Sequence, residues 1–393
     1  MRTHQRTFFD FLRFCVGSVA EIPASVKDVD WKVLYAIARK QALVGVLFHG
    51  IKQLPKELAP DGDLLMLWMG MAQRIRQQNI RLFMDAAKVC KNFRQEGFRC
   101  CILKGQGNAL LYPDPYMRTP GDIDIYLAGG RKRVMEYVNK VCPNQVTRYH
   151  HVDFPVMKTA VEVHFTPSYM FCPVHNRRMQ KWFGKVMDLQ CSNVVELPDG
   201  YGEITAPTVS LNVVYILSHL YRHVFTEGIG LRQLLDYNFV LVKWHTDLAS
   251  PLAAGLQFTG SANLNVCKSL PQVTRVNADL DALRHELKRL GMWKFARAVM
   301  YVLHEVFGLS EDRMIAPIDE KEGKFLLDEI MRGGNFGQYD TILGSKEDEG
   351  KLHRYFRMNL RSLRLVRHYP GEALSEPLFR TWFAAWKKVH GVR

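Results

Sequence analysis

Apolar and polar positions divide the chain into three stretches with different periodicities. Up to residue 95, apolar residues recur at mixed steps of three and four, which is typical of amphipathic helices. This pattern predicts helices over residues 8–16, 31–48 and 64–93, and Gly97 ends the last of them. The first part of the chain is therefore predicted to be a helical region over residues 1–95.

The period changes in the middle of the chain. A short apolar run at 100–103 leads into a Lys104-Gly105 turn, and residues 122–127 alternate polar with apolar, as a half-buried strand does. Between them we predict a short helix at 108–112 and a loop at 113–120. A helix at 131–141 and short strands at 150–154, 156–158 and 160–165 complete the pattern. This order indicates a small α/β or α+β unit, to which we assign residues 96–206.

The last part of the chain returns to a helical period. Helices are predicted at 209–224, 231–242, 280–290, 293–307, 321–331, 353–365 and 377–389. The stretch from about 246 to 275 lacks a clear period and is rich in Ser, Gly, Thr and Asn, so we interpret it as a long loop or insertion. Residues 207–393 are accordingly predicted to form a second helical region.

Charge and hydropathy indicate which kinds of partner the protein binds and where in the cell it is expected. Lys and Arg outnumber Asp and Glu by 53 to 39, a formal net charge of +14, which favours anionic partners such as nucleotides, nucleic acid, phosphorylated substrates or an acidic membrane surface. The N-terminal apolar run is interrupted by Asp10 and Arg13, which fits an amphipathic helix better than a signal peptide. No stretch has the length of a membrane span, so we expect a soluble, cytoplasmic protein.

The eight cysteines form no CxxC pair, and reduced, mostly buried thiols are the expectation. Cys172, His175 and His164 could be combined into a soft-metal site. Their spacing matches no closed zinc pattern, so we favour metal-free thiols.

Three acidic residues carry the strongest chemical signal. Residues two apart in a strand share a face, so Asp122 and Asp124 point the same way, and Glu162 repeats the pattern between Val161 and Val163. Carboxylates held this close favour a divalent cation, here Mg²⁺ or Mn²⁺. Three of them can hold two such ions, an arrangement suited to in-line phosphoryl displacement. The turn Lys104-Gly105-Gln106-Gly107 opens a short helix, and its lysine and free amides suit a triphosphate.

These motifs resemble a known family. The residues that carry the likeness are Leu103-Lys104-Gly105, Leu111-Tyr112-Pro113-Asp114-Pro115, Arg118, Gly121-Asp122-Ile123-Asp124, Val161-Glu162-Val163-His164, His219 to His223, Gly228 to Asp236 and Gly333 to Gly337. With them the chain is similar to the uncharacterised bacterial nucleotidyltransferases of the DNA polymerase beta superfamily. The resemblance implies an α+β fold in which a small mixed sheet is flanked by N-terminal and C-terminal helical regions. It also implies transfer of a nucleoside monophosphate from a nucleoside triphosphate, with ATP as the expected donor, and release of pyrophosphate.

The resemblance assigns roles residue by residue. Asp122 and Asp124 match the paired metal ligands, and Glu162 matches the third acid, which ligates a metal near the acceptor hydroxyl. Gly105 and its neighbours match the phosphate turn, although this chain lacks the serine found there in many members. The residues expected to contact the nucleotide are Lys104, Gly105, Gln106, Gly107, Arg118, Gly121, His219, Arg222, His223 and Arg232.

Several of these positions have a second, structural interpretation. His219, Arg222 and His223 share one helix face and form either a basic wall facing the triphosphate or a packing stripe. Arg232 could contact phosphate or pair with Asp236 four residues later. Arg118 is equally open between phosphate and a structural partner, and His164 shares the face of Glu162 as a supporting partner or as an ordinary strand histidine.

Three hypotheses about function follow. The leading one is an enzyme that moves a nucleoside monophosphate to an unknown acceptor hydroxyl. The alternative, motivated by the missing serine, is a non-catalytic nucleotide-binding or interaction module on the same fold. A third is a nucleic-acid modifier, motivated by the charge and by a basic C-terminal stretch around Arg361 to Lys388, which could equally be the wet face of an amphipathic helix. Gly333 to Gly337 predict a conformationally demanding turn.

Overall fold

The N-terminal region is an assembly of four helices. The computed structural model describes residues 2–249, 272–340 and 350–390. The helices are α1 (Arg2–Cys15), α2 (Trp31–Lys40), α3 (Val44–Ile51) and α4 (Gly62–Gln95). Aspartates begin two of them: the Asp30 side chain accepts hydrogen bonds from the first-turn amides of α2, and Asp61 does the same for α4.

The predicted single helix over residues 31–48 was wrong, because the chain turns at residues 41–43 between α2 and α3. Ala42 adopts a positive φ of 56° there. The buried Gln41 side chain donates to the carbonyl of Ile330 and accepts from the amide of Leu231. The break is therefore a docking point between the N-terminal and C-terminal helices, a long-range requirement that the local periodicity does not contain.

A four-stranded mixed sheet forms the centre of the molecule. Its elements are β1 (Cys100–Ile102), α5 (Gly105–Ala109), β2 (Ile123–Leu127), α6 (Gly130–Val141), β3 (His151–Asp153) and β4 (Val161–His164). The strand order is β1-β2-β4-β3, in which β2 and β4 run parallel and the outer pairs are antiparallel. With its helical flanks this sheet confirms the predicted α+β class. The strand predicted at 156–158 was wrong, because those residues form bends between β3 and β4.

One face of the sheet is apolar and the other carries the polar residues. Ile123 and Ile125 on β2 and Val161 and Val163 on β4 are almost fully buried. They belong to the same apolar cluster as residues of α4 and α6. Because the side-chain period of a strand is two, this packing turns residues 122, 124 and 162 to the opposite face.

The chain then adds a helix and a small hairpin before the C-terminal helices begin. They are α7 (Pro173–Gln190), β5 (Val194–Glu196) and β6 (Glu203–Thr205), and β5 pairs antiparallel with β6. The hairpin is joined to the main sheet by the Thr205 hydroxyl, which donates to the carbonyl of Cys100 at 2.6 Å.

The C-terminal region contains the helices α8 (Val209–Phe225), α9 (Leu231–Ala249), α10 (Gln272–Arg289), α11 (Trp293–Phe307), α12 (Glu320–Gly333), α13 (Lys351–Leu365) and α14 (Pro370–Val389). The loop predicted at about 246–275 was wrong at its two ends, which belong to α9 and α10; residues 250–271 lie outside the described part of the chain. Among the described helices, none combines the length and the apolar content needed to cross a bilayer.

Candidate functional site

The register of β2 and β4 brings the predicted acids together. Asp124 lies directly opposite Glu162 in the parallel pair, and Asp122 precedes the first residue of β2 on the same face. Asp124 is buried, whereas Asp122 and Glu162 are half-buried. Three carboxylates from two separate segments therefore meet on the polar face of the sheet.

Basic side chains surround two of these carboxylates. Lys104 Nζ lies 3.0 Å from Asp124 Oδ1, and His164 Nε2 lies 2.9 Å from the same oxygen. Glu162 Oε2 is 3.2 Å from His151 Nδ1 and 3.5 Å from His164 Nε2. His164 thus bridges both acids. Among the described residues no basic group forms an ion pair with Asp122 within 4 Å.

The pKa values of the acids differ because Asp124 and Glu162 have basic partners and Asp122 has none within 4 Å among the described residues. Repulsion from the Asp124 carboxylate, together with burial, raises the pKa of Asp122 to about 6. Burial by itself would raise the pKa of Asp124, but Lys104 and the hydrogen bond from His164 outweigh it and hold that pKa well below its usual value. For His164, burial is outweighed by the hydrogen bonds to Asp124 and Glu162, which raise its pKa. The centre therefore has a surplus of negative charge, concentrated near Asp122.

The three acids open into a large cleft of about 920 Å³. This volume lies near the upper end of the range of about 300–1,000 Å³ for small-molecule sites. The cleft is also lined by eight of the ten predicted nucleotide contacts: Lys104, Gly105, Arg118, Gly121, His219, Arg222, His223 and Arg232. Gln106 and Gly107 do not belong to this lining; the side chain of Gln106 is buried, and Gly107 packs against Ala206.

Arg222 lies at the centre of a group of imidazoles on one side of the cleft. Its guanidinium donates to His150 Nε2 at 3.2 Å, His219 Nδ1 at 3.3 Å and His223 Nε2 at 3.2 Å. Burial, and then the positive charge of Arg222, lowers the pKa of His223 to about 4. Burial also holds the pKa of His150 and His219 well below the usual value. These rings are therefore neutral acceptors, and the charge of Arg222 has no carboxylate partner within 4 Å among the described residues.

Arg118 and Arg232 share a different partner. Arg118 Nε and Nη2 donate to the two oxygens of Asp236, each at 2.8 Å, and Arg232 Nη1 lies 3.6 Å from the same carboxylate. The Tyr112 hydroxyl completes the cluster at 2.7 Å. All four residues are buried. Both arginines line the cleft, but their carboxylate partner also gives them a structural role.

The glycine-rich turn predicted at 333–337 forms part of the wall. Gly334 and Gly337 have positive φ angles of 65° and 61°, and a Cβ on Gly337 would come 2.1 Å from the carbonyl oxygen of Glu227. The intervening Asn335 and Phe336 face the cleft. Glycine at position 337, which adopts a positive φ readily and has no side chain, is therefore needed for the close packing between this turn and the segment after α8.

Sequence reasoning missed the opposite wall. Residues of α13 and α14 line the cleft there, among them Arg357, Phe379, Phe383 and Lys387. The neighbouring residues His150 and His151 were also missed as site residues. His150 precedes β3 and His151 is its first residue. Successive strand residues point to opposite faces, so the sequence pattern gave no signal that both rings would line the cleft.

The soft-metal combination of Cys172, His175 and His164 is wrong. Cys172 and His175 lie with Glu372, the third residue of α14, and His164 lies with Asp124 and Glu162. Glu372 accepts from the amides of residues 171 and 172 and is 2.9 Å from His175 Nδ1. These contacts fasten the start of α14 to the start of α7.

The central acids fit a hard divalent cation. Asp124, Glu162 and His164 each offer one ligand atom within 4.8 Å of the others, and Asp122 adds a carboxylate without an ion-pair partner among the described residues. Oxygen-rich sets of this kind suit Mg²⁺ or Mn²⁺. The mutual repulsion that raises the pKa of Asp122 is the charge surplus that such an ion would neutralise.

A family model described as "Uncharacterised nucleotidyltransferase" matches residues 27–254, more than half of the chain. No curated protein and no solved structure matches. The matched span includes α2, α3 and α4, the sheet itself, and α8 and α9, but not α1, α13 or α14.

Proposed function

The chain belongs to the uncharacterised nucleotidyltransferase family, and we propose that its central cleft transfers a nucleoside monophosphate from a nucleoside triphosphate to an acceptor hydroxyl. The acceptor oxygen forms a bond to the α-phosphorus, the bond from that phosphorus to the bridging oxygen breaks, and pyrophosphate leaves. The acceptor proton passes to a carboxylate of the site. The observation that carries this proposal is the pairing of Asp124 with Glu162, with Asp122 on the same face and all three in one cleft.

Asp122, Asp124 and Glu162 would hold Mg²⁺ or Mn²⁺, up to two ions. When bound, the ions would neutralise charge on the triphosphate and on the reacting oxygens. Glu162 is the residue we assign to the acceptor proton, since its carboxylate is half-buried and lines the cleft.

The cations of the cleft would position the triphosphate. Lys104 stands next to Asp124, and Arg222 carries a charge that neutral imidazoles surround and that no described carboxylate compensates. A guanidinium held by neutral acceptors is pre-organised for phosphate oxygens, so little side-chain freedom is lost on binding. ATP is the donor to be tested first.

The deciding experiment measures pyrophosphate release from ATP and other triphosphates in the presence of Mg²⁺ or Mn²⁺. We expect the Asp122→Asn/Asp124→Asn double variant to lose it. Asp188→Asn is the matched control, because Asp188 is an exposed carboxylate whose ion pair is with Arg99, outside the cleft. Undiminished release from the double variant would refute the assignment.

The binding-module alternative has one observation in its favour. The ion pair between Lys104 and Asp124, together with the bridging by His164, already compensates two of the three acids without a metal. Calorimetry with ATP and Mg²⁺ separates the two functions. Binding without pyrophosphate release, under conditions in which a panel of hydroxyl acceptors is present, would favour the module.

A further inference from the structure

Two C-terminal helices expose an unusual amount of apolar surface. Each carries large apolar side chains at steps of three and four on one side, so that they share a helix face. These six residues, which we name the outer face, are each 51–73% exposed: Phe356, Leu360 and Leu363 on α13, and Leu374, Leu378 and Trp382 on α14.

The outer face does not result from loose helices. The Ser362 hydroxyl donates to Glu376, and Arg380 donates to both Asn359 and Glu376, so α13 and α14 are bonded to each other. Glu372 anchors α14 to α7. The inner sides of both helices are occupied, because Phe379 and Phe383 of α14 and Arg357 of α13 line the cleft. A well-anchored helix pair that still exposes six large apolar residues marks a contact surface.

Charge identifies what that surface contacts. Residues 351–390 contain two acids, Glu372 and Glu376, and both are buried and hydrogen-bonded. The same residues contain nine bases: Lys351, Arg354, Arg357, Arg361, Arg364, Arg367, Arg380, Lys387 and Lys388. Of these, Arg357 and Arg361 are buried, and Arg364 and Arg380 pair with Glu329 and Glu376. Arg367 and Lys388 are exposed and supply the positive charge of the surface. The helix pair therefore presents leucines, a phenylalanine and a tryptophan beside positive charge, with no exposed carboxylate among its described residues.

We infer that the outer face docks on the surface of an anionic lipid bilayer. Apolar side chains flanked by Lys and Arg are the pattern by which amphipathic helices lie at a membrane interface, where the leucines and Trp382 enter the acyl boundary and the bases meet the headgroup phosphates. A second copy of the chain fits less well, because it would bring two positively charged surfaces together. Nucleic acid would match the charge but would leave the leucines exposed.

The inference does not rest on the proposed activity. It does imply where the cleft would lie relative to the bilayer, because Phe383 and Lys387, which line the cleft, are on the same helix as Leu378 and Trp382 of the outer face. Docking would hold the cleft close to the headgroup layer.

Co-sedimentation of the full chain with two kinds of vesicle tests the inference. One kind is phosphatidylcholine alone, and the other is phosphatidylcholine mixed with phosphatidylglycerol. We expect binding to the mixed vesicles that is at least about tenfold stronger than to the neutral ones and that weakens with salt. Leu360→Glu/Leu378→Glu should weaken it by about tenfold or more, because two exposed leucines that would enter the acyl boundary become carboxylates.

Two further variants complete the design. Arg367→Glu/Lys388→Glu reverses the exposed charge without touching the apolar residues and should also weaken binding to the mixed vesicles. Leu189→Glu is the matched control, since Leu189 on α7 is 65% exposed but lies outside the outer face, and its binding should equal that of the unmodified chain. Circular dichroism verifies that each variant is folded.

Several outcomes would overturn the inference. The first is no binding of the unmodified chain to the mixed vesicles, and the second is unchanged binding by Leu360→Glu/Leu378→Glu. The third is a dimer, seen by light scattering, that this double variant dissociates. The fourth is binding to single-stranded RNA that the double variant weakens as strongly as it weakens vesicle binding.

Discussion

The buried cluster around Asp236 allows the most quantitative prediction. We consider Asp236→Asn, which removes the charge while keeping the shape of the side chain. Asp236 receives three hydrogen bonds, two from Arg118 and one from Tyr112, and Arg232 is nearby. After the substitution, the two buried arginines would have lost the carboxylate that compensates them.

The magnitude follows from burial. Breaking a buried ion pair by removing one partner costs about 3–5 kcal/mol, because the remaining charge is left uncompensated in a poorly solvated site. Domains are stable by about 5–15 kcal/mol, so this loss is a large fraction of the total. A solvent-accessible ion pair on the same helix, between Asp247 and Lys243 four residues away, serves for comparison. Pairs of this kind contribute about 0.3–0.5 kcal/mol to the free energy of unfolding.

Urea unfolding followed by tryptophan fluorescence measures both variants. We expect Asp236→Asn to lose several times more free energy of unfolding than Asp247→Asn. The pKa of Asp236 is lowered because Arg118 outweighs the effect of burial. Its contribution is therefore fully present above about pH 3.9, the pKa in the unfolded chain, and is lost as the pH falls through the lower folded value. Equal losses in the two variants would show that Arg118 and Arg232 do not depend on Asp236, and would make both free to bind phosphate.

Three other predictions concern the site and its walls. Glu162→Gln should lower the rate of nucleotidyl transfer by about 10²–10⁴-fold with little change in the KM for the triphosphate, measured by steady-state kinetics; a change confined to KM would contradict the role in proton transfer. The affinity for Mg²⁺ should fall below about pH 6, where Asp122 becomes protonated in the free protein. Calorimetry in two buffers of different ionisation enthalpy should then detect the proton that Mg²⁺ binding releases. An affinity that does not change with pH would show that Asp122 is not a ligand. Gly337→Ala should lower the melting temperature, because residue 337 has a positive φ and the new Cβ would collide with the carbonyl of Glu227. Gly333→Ala should leave it unchanged, because there is open space around that Cβ. Equal melting temperatures of the two variants would show that the turn rearranges freely.

The polar face of the sheet could be predicted because local rules determine it. Ile123, Ile125, Val161 and Val163 alternate with polar residues, and a period of two turns the acids between them to the other face. The helices α8 and α11 were predicted nearly to the residue for the same reason, since their apolar faces repeat at the helical period. By contrast, residues 156–158 were predicted to form a strand, but within the described part of the chain they pair with no strand and form bends.

What the sequence could not provide is the compensation of charge at the site. The acids can be recognised from their spacing along the strands, but the contacts that compensate or surround the charges of the cleft join distant segments. His164 reaches Asp124 across 40 positions, Arg118 reaches Asp236 across 118, and Arg222 reaches His150 across 72. Arg118 and Arg222 both looked open to a phosphate role in the sequence, and the structure distinguishes them by their partners. Arg118 is balanced by a buried carboxylate, whereas Arg222 is surrounded by neutral imidazoles. Because a half-buried guanidinium without a carboxylate within 4 Å among the described residues is poorly compensated, Arg222 is the base from which an anionic ligand would gain the most. Its removal should weaken triphosphate binding, measured by calorimetry, more than removal of Arg118 or Arg232.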